Sequence, residues 1–200
     1  MSADGVAGML ITGRGQFQAR VTQLGLERMR LAAVEEALPR IAFVVVPAGT
    51  VLVAFPFDGV PSPVWAGIEI RRSEVIVFAP GQRLYARTAG PCRWGVICVP
   101  EEQLAGYGRA LSGAGFVIPP AARWRPLPAA ARQLRDFHRA AIRLAEARAG
   151  ALTDIQAAHA LEQQLLEAGQ ASCTAGRASF ITGRSAPPFR SWLHPAIPTT

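Results

Sequence analysis

The chain reads as an α+β protein, a small antiparallel β-barrel followed by an α-helical hairpin. Three observations predict this. Short apolar runs of strand character recur at roughly eight- to twelve-residue spacing between Gln16 and Pro100. From Leu127 to Glu167 the apolar spacing changes to the period of about 3.6 residues that marks amphipathic helices. Past Gly169 neither period continues, although the sequence runs on to Thr200.

The barrel begins at residues 16–24, where Phe17, Ala19 and Val21 alternate with Gln18, Arg20 and Thr22. A period of two predicts a half-buried strand with the apolar set inward. Residues 26–36 fit either period through Leu26, Met29, Leu31 and Val34, and their place between strands favours a strand. Residues 41–46 are apolar throughout and rich in β-branched side chains, as in a central strand covered on both faces. Turn chemistry at Pro47-Ala48-Gly49-Thr50 leads into a strand over 51–57. Asp58-Gly59 with Pro61 and Pro63 makes a loop, and Arg71-Arg72-Ser73 reads as a tight hairpin between strands at 65–70 and 74–78. Pro80-Gly81 and Gly90-Pro91 turn the chain into strands at 82–88 and 92–99. About seven short strands so spaced fit a closed or nearly closed barrel, cupin-like in outline.

Pro100-Glu101-Glu102 is a helix start: proline suits the first position and the acids face the positive end of the macrodipole. Leu104, Tyr107, Ala110 and Leu111 give this helix its stripe, and Gly113 ends it. After a Pro- and Arg-rich linker, Ala130, Leu134, Phe137, His138, Ala141, Leu144, Ala145 and Arg148 trace the apolar stripe of a longer helix. Arg132, Arg135, Arg139 and Arg143 lie opposite, a solvated face or a contact for DNA phosphate or an acidic partner. Gly150 ends that helix, and Thr153-Asp154-Ile155-Gln156 is a capping box for a second one carrying Ile155, Ala158, Leu161, Leu165 and Leu166. Two such helices must bury their stripes on the barrel or on a second copy. Leu134, Phe137, His138, Ala141, Leu161 and Leu165 are therefore the candidate dimer interface.

Composition narrows the function classes. With 200 residues, half of them apolar, the chain can bury one sizeable core. Its longest apolar run is far short of the roughly 20 residues a membrane span needs. No basic region precedes the apolar residues 6–11, so neither a signal peptide nor a membrane partner is expected and the location read is cytoplasmic. The net charge of +7 rests on arginine alone, with no lysine, which points to GC-rich coding more than to a phosphate-binding surface. Cys92 and Cys98 are expected as free, buried small residues, about 20 Å apart on one strand.

The inventory of reactive side chains is thin. The only histidines are His138, His159 and His194, none of them in the barrel, so neither a metal nor any other cofactor is expected there. The same gap leaves no Ser/His/Asp or Cys/His set on strands, and no enzyme is read. Gly13-Arg14-Gly15 has no strand before it in this reading and makes no dinucleotide fingerprint. What remains is a set of strand-borne aromatics that either fill the core or line a ligand pocket. Phe55, Trp65, Tyr85 and Trp94, with Arg83 at the mouth, are the candidates for holding an anionic or hydroxylated small molecule.

The run EVIVFAPGQRLYAR from Glu74, GPCRWG from Gly90, VPEEQL from Val99 and FQARVTQLGLER from Phe17 resemble the N-terminal sensing domain of AraC-type transcriptional regulators. The likeness covers about residues 15–168. It implies a cupin-like effector barrel over 16–115 with a short helix at 100–112, a linker at 116–128 and a dimerising helical hairpin over 129–168. Residues 1–15 read as a leader. The partners implied are a small-molecule effector and a second copy or full-length relative. DNA would be reached only through the helix-turn-helix units that follow the hairpin in that family. Here residues 169–200 read instead as an irregular or out-of-frame tail, which suggests a regulator truncated before its DNA-binding half. The alternative is a free-standing cupin-like small-molecule binding protein.

Overall fold

The computed structural model describes residues 6–57, 61–112, 122–125, 128–147, 159–160, 162–165, 167 and 177–180. In chain order these form β1 (Val6–Ile11), β2 (Ala19–Gly25), β3 (Arg30–Glu36), β4 (Arg40–Val45) and β5 (Thr50–Pro56). The short β6 (Val64–Trp65) and β7 (Ile68–Glu69) follow, then β8 (Val75–Phe78), β9 (Arg83–Thr88) and β10 (Cys92–Pro100). Helix α1 (Glu101–Ser112), β11 (Ala122–Arg125), helix α2 (Pro128–Ala147) and β12 (Arg177–Phe180) come last. The strands build a five-stranded sheet, β1-β4-β9-β6-β7, and a seven-stranded sheet, β12-β11-β8-β5-β10-β3-β2. The result is α+β, a cupin-like antiparallel double sheet with helices laid against it.

Strand alternation divides the seven-stranded sheet into two faces, each with its own core. Ala54, Ile76, Phe78 and Val96 point into the barrel and meet Val46, Trp65, Ile68, Ile70, Leu84 and Ala86. Their chain neighbours Val53, Phe55, Val75, Val77 and Ile97 point the other way, onto Leu134, Ala141 and Ile142 of α2 and onto Leu165. The β-branched and aromatic strand residues thus serve two layers at once, which is why these runs look apolar without a break. On α2 the buried positions Ala130, Ala131, Leu134, His138, Ala141 and Ile142 recur at helical spacing. Among residues 159–167 those described are helical, and the Glu162 carboxylate accepts the Arg28 backbone N–H at 2.7 Å. The capping box at 153–156 and Leu161 lie outside the described residues.

Several expectations need correction. Within the stretch read as a leader, Val6–Ile11 forms β1 and pairs with β4, since an apolar run beside an open sheet edge can satisfy its backbone there. Residues 12–18 join β1 to β2, the outermost strands of the two sheets, which do not pair with each other. Among the described residues the barrel is therefore unclosed along that side. Val21, paired with Val34, does face inward as expected, yet it is 48% exposed because no strand stands opposite. Strand β4 is covered on its inner face only: Ile41, Phe43 and Val45 on its outer face are half-buried.

The hairpin expected around Arg71-Arg72-Ser73 is a crossing between sheets. β7 belongs to one sheet and β8 to the other, and the Glu74 carboxylate braces the turn by accepting the Arg71 N–H at 3.0 Å. The hairpin sits earlier, joining β6 to β7 through Ala66 and Gly67, both with positive φ (51° and 78°), as a primed two-residue turn requires. Strand β11 lies within the expected linker, paired with β8, and β12 lies within the expected irregular tail, paired with β11. Backbone pairing needs no apolar period, so neither strand carried a sequence signal.

Candidate functional site

Strand register assembles a polar cluster at one end of the barrel interior. In the five-stranded sheet Arg40 stands between Ile11 and Thr88. In the other sheet Glu36 stands between Ala19 and Cys92. Glu36 and Arg40 flank the turn from β3 to β4, which carries the chain from one sheet to the other. Both point inward because they share parity with Ala32 and Val34 on one strand and with Ala42 and Val44 on the next.

The cluster is buried and largely satisfied. Glu36 and Arg40 are 7% and 2% exposed, and Arg40 Nε donates to Glu36 Oε1 at 2.7 Å. Arg40 Nη1 donates to the Ala86 carbonyl at 3.0 Å, and the Arg40 backbone N–H donates to Thr88 Oγ1 at 3.1 Å. Cys92 Sγ lies 3.5 Å from Glu36 Oε2 as the donor. Burial, and then the Glu36 charge, push the Cys92 thiol up to about 12, so it stays protonated and is a poor nucleophile at neutral pH.

One layer deeper, the Arg40 guanidinium lies 5.6 Å from the Trp94 ring centroid, and Trp94 meets Trp65 edge-on at 5.7 Å. Trp94 Nε1 is buried and has no hydrogen-bond partner among the described residues. A buried donor without an acceptor costs about 1–3 kcal/mol, and an acceptor oxygen placed beside it recovers that. An open cleft of about 800 Å³ at this end of the seven-stranded sheet is lined by Phe17, Ala19, Arg20, Glu36, Cys92 and Arg93.

Of the five residues expected to line a pocket, the structure brings two together. Trp65 and Trp94 face the barrel interior. Phe55 does not: it lies on the opposite face of its sheet, edge-on to His138 of α2 at 5.2 Å. Arg83 and Tyr85 also point away, because on β9 the inward parity belongs to Leu84 and Ala86. Tyr85 packs on Phe43 outside the barrel at 5.4 Å, and Arg83 is exposed. The guanidinium inside the barrel is Arg40. Counting by twos from Ala42 and Val44 would have found it, and from Ala32 and Val34 would have found Glu36. Among the described residues no three His, Cys, Asp or Glu side chains converge as a metal set.

The candidate interface stripe is also reassigned. Leu134, His138, Ala141 and Leu165 are buried on the outer face of the seven-stranded sheet within one chain. Phe137 is partly buried beside them, and Leu161 lies outside the described residues. An uncovered apolar sheet face is the nearest surface on which these helices can bury their stripe. His138 Nε2 donates to the Val96 carbonyl at 3.1 Å. Burial holds its pKa at about 4, against the opposing pull of the Val96 and Ala32 carbonyls. The arginine face of α2 is only partly solvated. Arg135 is 8% exposed with Nη1 on the Arg72 carbonyl at 2.6 Å, and Arg139 lies over the Phe57 ring at 4.9 Å.

No protein-family model matches the chain, and no curated protein matches it. Among solved structures, the AraC-like transcriptional activator CuxR superposes with a TM-score of 0.58 at 13% identity. That superposition covers 87% of this chain and 63% of CuxR, so the chain spans less than two thirds of that structure's length. Apo ToxT from Vibrio cholerae gives a TM-score of 0.46 at 12% identity over 78% of this chain and 55% of its own. The Clostridium difficile EutQ protein gives 0.33 at 14% identity over 44% and 67%. Only the first likeness is close enough to carry weight, and at that identity what this chain shares with an AraC-like activator is the fold.

Proposed function

We propose that this chain is the effector-binding part of an AraC-type transcriptional regulator, taking its ligand at the polar end of the barrel. The observation that carries the reading is the common fold with an AraC-like activator over 87% of the chain. The run of residues 74–104 that resembles the same family supports it from the sequence side. So does the buried Trp94 Nε1, a donor waiting for an acceptor beside the Arg40–Glu36 pair. The ligand that fits is small and hydroxylated or anionic, entering along the unclosed β1/β2 side. In this reading the chain binds and does not catalyse, in keeping with a thiol held protonated. DNA contact in this reading belongs to helix-turn-helix units outside this fold. Pairing with a second copy or a full-length relative uses surface other than the stripe that covers the sheet.

The test is a thermal-shift screen of hydroxylated and anionic metabolites on the parent and on Trp94→Phe. A hit is expected to lose about tenfold in affinity in the variant, the size of one buried hydrogen bond. Hits that bind both proteins equally would remove the ligand site from the barrel. A panel without hits, on a chain that retards operator DNA by itself, would remove the sensing assignment.

A further inference from the structure

We infer that Arg72, Arg132, Arg135 and Arg139, gathered where the β7–β8 crossing meets the N-terminal half of α2, form a binding site for a phosphate group. Arg132, Arg135 and Arg139 are three and four residues apart and share one side of the helix. The hydrogen bond from Arg135 Nη1 to the Arg72 carbonyl ties that side to the crossing.

Among the described residues the charges there are little compensated. Arg72, Arg132 and Arg139 each act on Arg135 as like charges, and the one acid acting with them is Asp136. Asp136 is 72% exposed and sits 3.9 Å from Arg139, not on Arg135. The nearby Glu74 carboxylate is turned to the backbone N–H of Arg71. Among the described residues, no carboxylate pairs with Arg72, Arg132 or Arg135.

Such an arrangement is costly for a structural element. Taking one guanidinium out of water without a counter-ion costs several kcal/mol, and its neighbours repel it. The first turn of α2 carries no acid that would offset these cations. Surface arginines on a solvated helix face would spread apart into water, whereas Arg135 is 8% exposed. Forked donors on planar guanidinium groups match the oxygens of a phosphate, whose double charge offsets this many cations better than a single carboxylate does. The site lies on the helix-covered side of the sheet, apart from the barrel interior, and does not depend on the sensing assignment.

The probe is inorganic phosphate, read by thermal unfolding of the full chain against chloride at matched ionic strength. Saturating phosphate is expected to raise the midpoint by about 3 °C or more. The double variant Arg132→Gln/Arg139→Gln, whose side chains are less buried, should lose that response. Arg135→Met, which keeps the apolar stem, should lose it too if it folds. A duplex of random sequence distinguishes the source of the phosphate. Retardation that the double variant abolishes and free phosphate competes away assigns the group to a nucleic-acid backbone. Phosphate binding without retardation assigns it to a small phosphate ester. Equal midpoints in phosphate and chloride, or a double variant that responds like the parent, would overturn the site.

Discussion

The two faces of the seven-stranded sheet make different kinds of core. On the helix side, Phe55 and Phe57 pack edge-on at 5.6 Å, Leu134 and Leu165 close the layer, and His138, Arg135 and Glu162 are the buried polar side chains at its margin. On the barrel side, the same strands lead from a dry middle at Ile70, Ile76 and Phe78 to an ion pair, a thiol and an unpaired indole N–H. The helix side is covered by a second layer; the barrel side is unclosed between β1 and β2. Where a face can be fully covered, dispersion and apolar burial do the stabilising and polar atoms are kept to a minimum. At the barrel end the charged groups are instead satisfied by each other and by the Ala86 carbonyl, and Thr88 accepts the Arg40 backbone N–H. That contrast separates a covered, mainly apolar layer from an open one with a polar end.

The comparison breaks most sharply at the ion pair. Glu36→Gln leaves the Arg40 guanidinium buried without its anion and is expected to cost about 3–5 kcal/mol in urea unfolding. The double replacement Glu36→Leu/Arg40→Met should recover most of that, because an apolar pair of similar size needs no desolvation. If the single variant costs no more than the double, the barrel end is wetter than its burial implies.

The helix side is tested by pH. His138 has a pKa of about 4 when folded against an ordinary 6.5. Above pH 6.5 both states are neutral and the residue adds no pH dependence. As pH falls from 6.5 towards 4, the unfolded chain takes up a proton that the folded chain refuses. Stability then drops by about 3 kcal/mol across that window and levels off below it. His138→Phe should flatten this part of the stability profile. An unchanged slope in the variant would show that other groups set it.

The smallest effect comes from packing. A Cβ on Gly95 would fall 2.6 Å from Phe55 Cε2 and 3.0 Å from Phe57 Cζ. Gly95→Ala should therefore cost about 1–3 kcal/mol by displacing the aromatic pair, while leaving ligand response in the barrel intact. A neutral substitution would mean that this layer has slack to repack.

How much of this was legible can be argued from particular residues. The strands at Val53, Ile76 and Ile97 announced themselves by β-branched, apolar runs and α2 by its stripe, whereas the strand at Leu31 fitted either period and was placed only by its neighbours. The barrel-end cluster was hidden because Glu36 and Arg40 look like ordinary turn-flanking charges, and only their parity with buried neighbours turns them inward. Arg83 and Tyr85 were misplaced for the matching reason: chemical suitability was read without fixing which side of β9 faces in. Phe55 was misplaced because a strand that is apolar on both faces does not say which face is the barrel.

The sequence by itself determined the kind and order of the central strands β2–β5 and β8–β10 and of helices α1 and α2, since helix and strand periods are local properties of side-chain spacing. It also placed all three histidines after residue 137. Only the tertiary structure decided that the α2 stripe covers a sheet within its own chain, that the Arg71–Glu74 turn crosses between sheets, and that β1 and β2 leave the barrel unclosed. The physical reason is that strand pairing and layer stacking join residues far apart in the chain. Those contacts depend on which faces remain uncovered once the local elements exist, and no local pattern records that.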